Sequence, residues 1–375
     1  MSADTAKTLI IGLGATGMSC ARYLAARNEA FFVADSRLKP PNLVDFQSQF
    51  PCVDIQLGGF QESSFLSASR IIVSPGVSLK TPELIKARAA GIPISGDIDL
   101  FSREVTSSVV AVTGSNGKST VVEMLAAILD AAGKKYGLGG NLDSANAKPA
   151  LDLLLEQPKD FYVLELSSFQ LETTEALNAE VAVLLNVSMD HMDRYDDMDE
   201  YLVAKQRIFR GCKKVVINRS EPSSAPQNLD ALPSIDFGFD RPGVNGLGLL
   251  QEGEDQYLAF QFEKIVSVSE LKIFGQHNIA NCLAAIGLAL SVGIDIKAIR
   301  RALIGFSGLP HRCEWVANIA GVEFYNDSKG TNVGATVAAV EGLGKHIGGH
   351  IILIAGGVSK GADFSDLVPV VNRWS

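Results

Sequence analysis

The sequence of 375 residues has few cysteines, and none of them forms a C-x-x-C pair. The count is odd and the positions lie far apart, at Cys20, Cys52, Cys212, Cys282 and Cys313. This pattern argues against both a disulfide framework and a cysteine-ligated zinc cluster. It favours a reducing compartment, and we therefore expect a cytoplasmic protein.

The sequence also lacks an excess of positive charge and lacks long hydrophobic runs. Its 33 Lys and Arg residues against 42 Asp and Glu residues give a formal charge of −9, which argues against nucleic acid or an anionic membrane as the main partner. A local basic pocket for phosphate stays possible. No uninterrupted apolar run reaches the roughly 18 residues of a membrane span, and Asp4 lies where a signal peptide would be apolar. The sequence thus predicts neither export nor membrane anchoring.

What is present is a hydrophobic fraction of 47%, enough for several cores in two or three domains. Short aliphatic runs alternate with amphipathic stretches, which predicts a parallel, doubly wound α/β fold. We expect boundaries near residues 97–103 and 305–310, and hence three segments at 1–98, 99–308 and 309–375. Residues 220–234 are rich in Ser, Pro and Asn and predict a surface loop. The predicted strands cover residues 8–12, 70–74, 109–114, 161–166, 181–187, 214–218 and 350–356.

A glycine-rich loop follows the predicted strand at 109–114 and precedes a predicted helix at 121–132. It consists of Gly114, Ser115, Asn116, Gly117, Lys118, Ser119 and Thr120. Glycines let backbone N–H groups surround a phosphate, Lys118 can reach the β and γ phosphates, and the Ser119 hydroxyl can hold magnesium. The spacing is shorter than in the general phosphate loop, because Val112 stands where the first glycine would be. A plain glycine turn would explain the glycines but not the Lys118–Ser119 pair.

A second glycine pattern, Gly12-x-Gly14-x-x-Gly17, follows the first predicted strand, and Asp35 ends the next apolar run. This is the dinucleotide-binding fingerprint. Taken alone, it favours an NAD-dependent dehydrogenase.

The segment TGSNGKST at 113–120 resembles the ATP loop of the Mur ligases and of the folylpolyglutamate synthetases. Further segments resemble the D-glutamate-adding Mur ligases, in family order along the chain: LELSSFQLE at 164–172, NVSMDHMDRY at 186–195, GQHN at 275–278, LPHR at 309–312 and NDSKGTN at 326–332. The resemblance implies an α/β protein with a Rossmann-like N-terminal domain that binds UDP at residues 1–98. It also implies a central P-loop ATPase-like parallel-sheet domain at 99–308 and an incomplete Rossmann-like C-terminal domain at 309–375.

The implied activity is ATP-dependent addition of D-glutamate to UDP-N-acetylmuramoyl-L-alanine through an acyl phosphate, in peptidoglycan precursor synthesis. A carboxylate becomes reactive toward an amine when the γ-phosphoryl group of ATP turns its oxygen into a leaving group, which requires positioning and charge neutralisation. Glu165 ends a predicted strand and, with Ser119, is a candidate ligand for a first Mg²⁺, although it could instead cap the turn from Ser167. By resemblance His191 would contact a second Mg²⁺ and Lys205 would be carbamylated to give an anionic metal ligand. Without the resemblance, the sequence predicts that His191 is an ordinary loop residue and that Lys205 is a solvated lysine on a helix.

The resemblance assigns further residues to three ligands, and we expect the protein to act as a monomer. Besides the loop at 114–120, the expected ATP contacts are Asn278, Asn281, Arg312, Asp327 and Lys329, although Asn278 could be a helix cap. The expected UDP-substrate contacts are Gly14, Ala15, Thr16, Asp35, Ser36, Arg37, Gly76 and Asn141. Thr331 and Lys360 are expected to bind D-glutamate, and His311 belongs to the same closing segment.

The resemblance is incomplete at two places. Val358 and Ser359 stand where the family often has Asp-Gly before the lysine that matches Lys360. Family members also continue beyond the position of Ser375, so we expect a truncated third domain. Two hypotheses therefore stay open beside the D-glutamate-adding enzyme: an L-alanine-adding Mur ligase, and a nucleotide-binding remnant without ligase activity.

Overall fold

The computed structural model describes residues 7–227, 232–347, 349–358 and 362–374. The first segment forms a five-stranded parallel sheet with the order β3-β2-β1-β4-β5. Its central strand β1 is buried along its whole length because helices cover both faces of the sheet. The strands are β1 (Thr8–Ile11), β2 (Phe31–Asp35), β3 (Ile55–Leu57), β4 (Arg70–Val73) and β5 (Ile94–Ser95), and the helices are α1 (Ala15–Ala26), α2 (Leu43–Gln49), α3 (Glu62–Ser67) and α4 (Pro82–Ala89).

The strand order of this sheet reverses between β1 and β4, which lie side by side. Ligands of open α/β sheets bind at such a switch point, beyond the carboxyl ends of the strands. The loop that contains Gly12 and Gly14 follows β1 at this edge, and the loop that contains Gly76 follows β4.

The central segment forms a ten-stranded sheet with the order β15-β14-β13-β12-β11-β10-β6-β9-β7-β8. The spatial order follows the order of the chain only in part, so β6 lies between β10 and β9 and places the glycine loop at the middle of the sheet. The strands are β6 (Ser108–Thr113), β7 (Tyr136–Gly140), β8 (Ala147–Lys148), β9 (Phe161–Glu165), β10 (Val181–Leu184), β11 (Val215–Asn218), β12 (Ser234–Phe237), β13 (Gly246–Glu252), β14 (Asp255–Phe260) and β15 (Glu263–Ser267).

The central sheet, predicted as parallel, is mixed, because β13, β14 and β15 form an antiparallel meander at one end. A parallel connection needs a crossover of about a dozen residues. Only Gly253 and Glu254 separate β13 from β14, so the chain can return only as a hairpin. Gly253 has φ +62°, a conformation that suits glycine in a tight turn.

Seven helices of the described residues accompany this sheet. One face packs against α6, α10 and α11, and the other packs against α5 and α7 together with side chains of α1 from the first segment. The stretch at 97–103, predicted as a polar boundary, is helical, and its residues Ile98, Leu100 and Phe101 are buried in this shared core. The helices are α5 (Asp97–Glu104), α6 (Lys118–Ala131), α7 (Ala150–Leu153), α8 (Ser168–Glu172), α9 (Met198–Gln206), α10 (Gln276–Ser291) and α11 (Ile296–Gly305).

The third segment contains an antiparallel pair, β16 (Glu314–Ile319) and β17 (Val322–Asn326), followed by α12 (Val333–His346) and α13 (Leu367–Trp374). The strand predicted at 350–356 is absent from the described residues there. Ile352 and Ile354 are 89% and 93% exposed, and no described strand lies alongside to accept their backbone hydrogen bonds. The amide of Ile351 instead donates to the carbonyl of Trp374 at 2.7 Å. A strand needs a neighbouring backbone to pair its N–H and C=O groups, so this apolar run does not form one.

None of the described helices combines the length and the apolar character that crossing a membrane requires.

Candidate active site

The glycine loop runs from the end of β6 to the start of α6, as predicted. Gly117 has φ +85° and precedes the first helical residue, Lys118. A Cβ atom on Gly117 would lie 2.4 Å from Oδ1 of Asn281 on α10, so a larger residue would be strained by both its backbone and its neighbour. The free N–H groups at the start of α6 therefore lie on a closely packed turn, which is the arrangement that binds phosphate.

Residues that follow β10 hold the glycine loop in place; Asn186 and Ser188 belong to the segment 186–195 that resembles the family, but no role was predicted for them. Asn186 accepts from the amide of Asn116 at 2.9 Å and donates to its carbonyl at 3.0 Å. The hydroxyl of Ser115 donates to the carbonyl of Ser188 and accepts from its amide, at 3.0 and 2.9 Å. The hydroxyl of Tyr201 lies 3.1 Å from the same Ser115 oxygen. The one signal that could have found them is that they follow a strand adjacent to β6.

Two lysines share one carbonyl of the loop. Lys118 Nζ donates to the carbonyls of Gly114 and Ser115 at 2.9 and 3.0 Å, and Lys205 Nζ donates to the Gly114 carbonyl at 2.8 Å. Lys205 is only 2% exposed and lies 4.6 Å from the centre of the Tyr201 ring, so its interpretation as a solvated helix lysine is wrong. Burial, with a further effect from the Lys118 cation, lowers the pKa of Lys205 well below its ordinary value. Burial also lowers the pKa of Lys118.

Glu165 ends β9 at the same edge of the sheet and is 3% exposed. Its Oε1 accepts from Asn141 Nδ2 at 3.5 Å, and its Oε2 has no hydrogen-bond partner among the described residues. The alternative role as a turn cap is wrong, because Ser167 caps α8 in a capping box with Gln170. A buried carboxylate oxygen without a donor is costly, and a cation beside it would remove that cost.

His191 lies in the loop between β10 and α9 and has φ +56°. Its ring packs edge-on against Phe169, with 4.8 Å between ring centres, and its Nε2 lies 3.5 Å from Asp190 Oδ2. Asp190 was not predicted, yet its charge counteracts the lowering of the Lys118 and Lys205 pKa values. No group of three or more His, Cys, Asp or Glu side chains suited to a metal occurs among the residues described. A cation here would need hydroxyl or phosphate oxygens as well as side-chain carboxylates.

A cleft of about 130 Å³ lies between the glycine loop, α10 and the third segment. Its lining includes Asn278, Asn281, Arg312 and Asp327 among the expected ATP contacts. Asn278 does not cap α10, since Gly275 is the N-cap residue and Asn278 Nδ2 donates back to the Phe274 carbonyl at 2.7 Å.

Residues of the third segment contact the central segment at and near the glycine loop. Arg312 Nη2 donates to the Ser119 hydroxyl at 3.3 Å, and Lys329 forms an ion pair with Asp143 at 2.5 Å. His311 and Thr331 are exposed, and Nδ1 of His311 lies 2.7 Å from Asn326 Nδ2. Lys360 lies outside the described residues.

In the glycine fingerprint of the first segment, Gly17 is closely packed against the backbone, whereas Gly14 faces open space. A Cβ atom on Gly17 would lie 1.9 Å from the Gly12 carbonyl, whereas one on Gly14 would meet nothing within 4 Å. Asp35 is buried and accepts from the Leu13 amide at 2.7 Å. The space beside Gly14 is therefore open to a ligand, as the fingerprint requires.

The other residues predicted to contact the UDP substrate lie in two places. Ala15 and Thr16 open α1, and Ser36 and Arg37 follow β2 near them, with Arg37 Nη2 paired to Asp35 at 2.7 Å. This pairing, together with the Leu13 amide, lowers the pKa of Asp35 against the opposing effect of burial. Gly76 is exposed after β4. Asn141 instead follows β7 of the central sheet and contacts Glu165. It therefore lies beside the glycine loop and not beside the first segment's UDP-contact residues.

The strand–glycine loop–helix unit at the centre of an open α/β sheet defines a nucleotide-binding protein of the P-loop class. Comparison with known proteins is more specific. Residues 112–289 match the model of the Mur ligase middle domain, and residues 6–96 match the MurD-like N-terminal domain of Mur ligases.

The chain is 50% identical over 366 residues to the UDP-N-acetylmuramoylalanine–D-glutamate ligase of Pseudomonas aeruginosa, covering 98% of this chain and 81% of that protein. It is 48% identical to the ligase of the same name from Nitrosococcus oceani, covering 98% and 80% of the two chains. Among solved structures, it resembles a type C pseudomurein peptide ligase from Methanothermus fervidus, with a TM-score of 0.56, 22% identity and coverage of 92% and 78%. The chain belongs to the Mur ligase family, within its D-glutamate-adding branch.

Proposed function

We propose that this protein joins D-glutamate to UDP-N-acetylmuramoylalanine with the cleavage of ATP, in peptidoglycan precursor synthesis. The observation that carries the proposal is the 50% identity to a D-glutamate-adding ligase over nearly the whole chain. The group formed by the buried Lys205 and Glu165 and the half-buried Lys118 beside the glycine loop supports it. A cytoplasmic location fits the need for ATP and the absence of cysteine pairs.

The chemistry follows from the groups around the loop. The substrate carboxylate oxygen attacks the γ-phosphorus, the bond to the β-phosphate oxygen breaks, and ADP leaves. The neutral amine of D-glutamate then attacks the acyl phosphate carbon, the nitrogen gives up a proton to solvent, and inorganic phosphate leaves with the former carboxylate oxygen. Among the described residues, the Lys118 amine donates to the carbonyl oxygens of Gly114 and Ser115, and we propose that it moves to the transferred phosphoryl group and balances its charge.

Glu165 and Ser119 fit a first Mg²⁺, and the observation in favour is the buried Glu165 Oε2 that lacks a donor among the described residues. Mg²⁺ would supply charge neutralisation at the phosphate oxygens. His191 and a carbamylated Lys205 are proposed for a second ion. The low pKa of the buried Lys205 favours the neutral amine, which is the form that reacts with carbon dioxide.

In this proposal each segment of the chain contributes residues to the binding of particular ligands. Residues 1–98 would hold UDP at the switch point through Gly14, Ala15, Thr16, Asp35, Ser36, Arg37 and Gly76. Asn141 would serve the same substrate from the central segment, residues 99–308. Residues 309–375 would close over ATP with Arg312, Asp327 and Lys329 and receive D-glutamate at Thr331 and Lys360.

The decisive experiment measures amide formation by the purified chain with UDP-N-acetylmuramoylalanine, ATP and D-glutamate. We expect product that depends on all three, and Lys118→Ala should lower kcat by about a hundredfold or more while leaving UDP-substrate binding unchanged. UDP-N-acetylmuramate with L-alanine tests for an L-alanine-adding ligase, and titration with NAD tests for a dehydrogenase. Saturable NAD binding without binding of the UDP substrate would contradict the proposal. Binding of ATP and of the UDP substrate without any amide product would identify a non-catalytic remnant.

A further inference from the structure

Arg194 joins the first and central segments of the chain through a single guanidinium group. Its side chain is only 12% exposed, and its Nη2 lies 2.8 Å from Oε2 of Glu172, which is also mostly buried. Nη1 donates to the Pro75 carbonyl and Nη2 to the Val77 carbonyl, both at 3.3 Å. The guanidinium carbon lies 4.5 Å from the centre of the Phe169 ring. Arg194 is therefore mostly buried and held by four partners, unlike the arginine of a solvent-exposed ion pair, which contributes little to stability.

The partners of Arg194 belong to the two halves of the proposed site. Pro75 and Val77 flank Gly76 in the loop after β4, on the side of the first segment. Glu172 and Phe169 lie on α8, which follows β9 and its terminal Glu165. Arg194 itself follows His191 by three residues, and its amide donates to the His191 carbonyl at 2.9 Å.

The reaction needs these two halves at a fixed spacing. A substrate held by its UDP group in the first segment must bring its carboxylate to the γ-phosphate at the glycine loop of the central segment. A shift of about 1 Å between reacting groups can cost about a hundredfold in rate. The loop at 75–77 and the loop that carries His191 are therefore the elements whose relative position matters most.

We propose that Arg194 is a positioning residue, which fixes the UDP-side loop at 75–77 against the catalytic loop and so sets the distance between the substrate carboxylate and the phosphoryl donor. The inference rests on the proposed function of the 75–77 loop. Arginine is suited to this role, because its planar fork donates to two carbonyls and a carboxylate at the same time. A lysine would keep the charge but could not hold all three oxygens in this plane.

The test compares Arg194→Lys and Arg194→Ala with Arg22→Ala as a matched control. Arg22 on α1 pairs with Asp152 on α7, at 2.5 Å, so it also links the first and central segments but contacts neither loop. We expect Arg194→Lys to lower kcat about a hundredfold at saturating substrates. Its Kd for ATP and KM for D-glutamate should remain within about twofold of the unchanged protein, whereas Arg22→Ala should keep kcat.

Glu172→Gln provides a second variant if Arg194→Ala fails to fold. It keeps the side-chain size, weakens the anchor of the guanidinium, and should lower kcat with the same unchanged Kd for ATP. If Arg194→Lys and Glu172→Gln lower the melting temperature like Arg22→Ala but retain kcat, Arg194 is merely structural and the inference is wrong. A failure of the unchanged protein to form the amide would instead contradict the proposed function.

Discussion

At the scale of single residues, Lys205 is the side chain whose surroundings differ most from what its sequence context predicts. It lies on α9 with Lys118 and Tyr201 beside it, and burial lowers its pKa. No periodic pattern identifies it, because the exposure of a helix position depends on which loop packs over it. Burial of a lysine side chain is rare and marks a functional candidate.

We expect Lys205→Ala to abolish amide formation while leaving the protein folded, because the variant loses the amine that a carbamate requires. Short carboxylic acids added to the assay should restore part of the activity by supplying the missing anionic group. Because the pKa is lowered, the neutral amine should form at a lower pH than for an ordinary lysine, so activity should rise with pH through the pKa of Lys205. Absence of rescue, together with no carbon-13 carbamate signal in the unchanged protein, would leave Lys205 a structural residue.

The sequence placed Glu165 beside Ser119 because the ends of parallel strands meet at one sheet edge, and in the structure Glu165 ends β9 next to β6, which leads into the glycine loop. The sequence could not predict Asn186, Ser188 or Arg194. Their roles depend on contacts between loops, and such contacts leave no repeating pattern in the sequence.

At the scale of elements, six predicted strands form within a few residues of the expected bounds, whereas the run at 350–356 does not. The difference lies in the neighbours. The central strands find parallel partners on both sides, but the described residues offer none to Ile352 and Ile354. Hydrophobicity predicts that a segment is suited to burial, while strand formation also requires a partner backbone.

Helix α5 makes a testable contribution to stability through Asp97 at its first turn. Asp97 is 2% exposed, its Oδ1 has no partner among the described residues, and burial raises its pKa to about 6. The folded state therefore binds this proton more tightly than the unfolded chain, whose aspartate pKa is about 3.9. The contribution of Asp97 to the free energy of unfolding should be fully present below about pH 4 and fall by about 3 kcal/mol as pH rises through 6.

Asp97→Asn removes this proton linkage while keeping the side-chain size. We expect the variant to gain stability relative to the unchanged protein by about 3 kcal/mol between pH 4 and pH 7, in urea unfolding measured at several pH values. Parallel curves of unfolding free energy against pH for the two proteins would show that Asp97 is hydrated in the folded state.

At the scale of the whole molecule, the third segment meets the glycine loop through a pair of amides. Asn332 Nδ2 donates to Asn116 Oδ1 at 2.9 Å, and Asn116 Nδ2 lies 3.4 Å from Asn332 Oδ1. The same Asn332 oxygen accepts from the Ala335 amide at 2.8 Å and thereby caps α12. One residue therefore connects the start of α12, next to Thr331, to the loop that would hold the phosphates.

Asn332→Ser separates the two roles of this residue. Serine can still cap α12, but its shorter side chain cannot reach Asn116, so we expect stability to change by less than the roughly 1 kcal/mol that loss of a cap costs. The KM for D-glutamate should rise about tenfold, because a lost hydrogen bond of about 1.4 kcal/mol would no longer hold the third segment against the loop. Asp295→Ser, which changes the cap of α11 without any contact to the loop, should leave this KM unchanged. A double-mutant cycle with Asn116→Ala decides whether the pair acts as a unit, since independent effects of the two substitutions would add and a coupled pair would not.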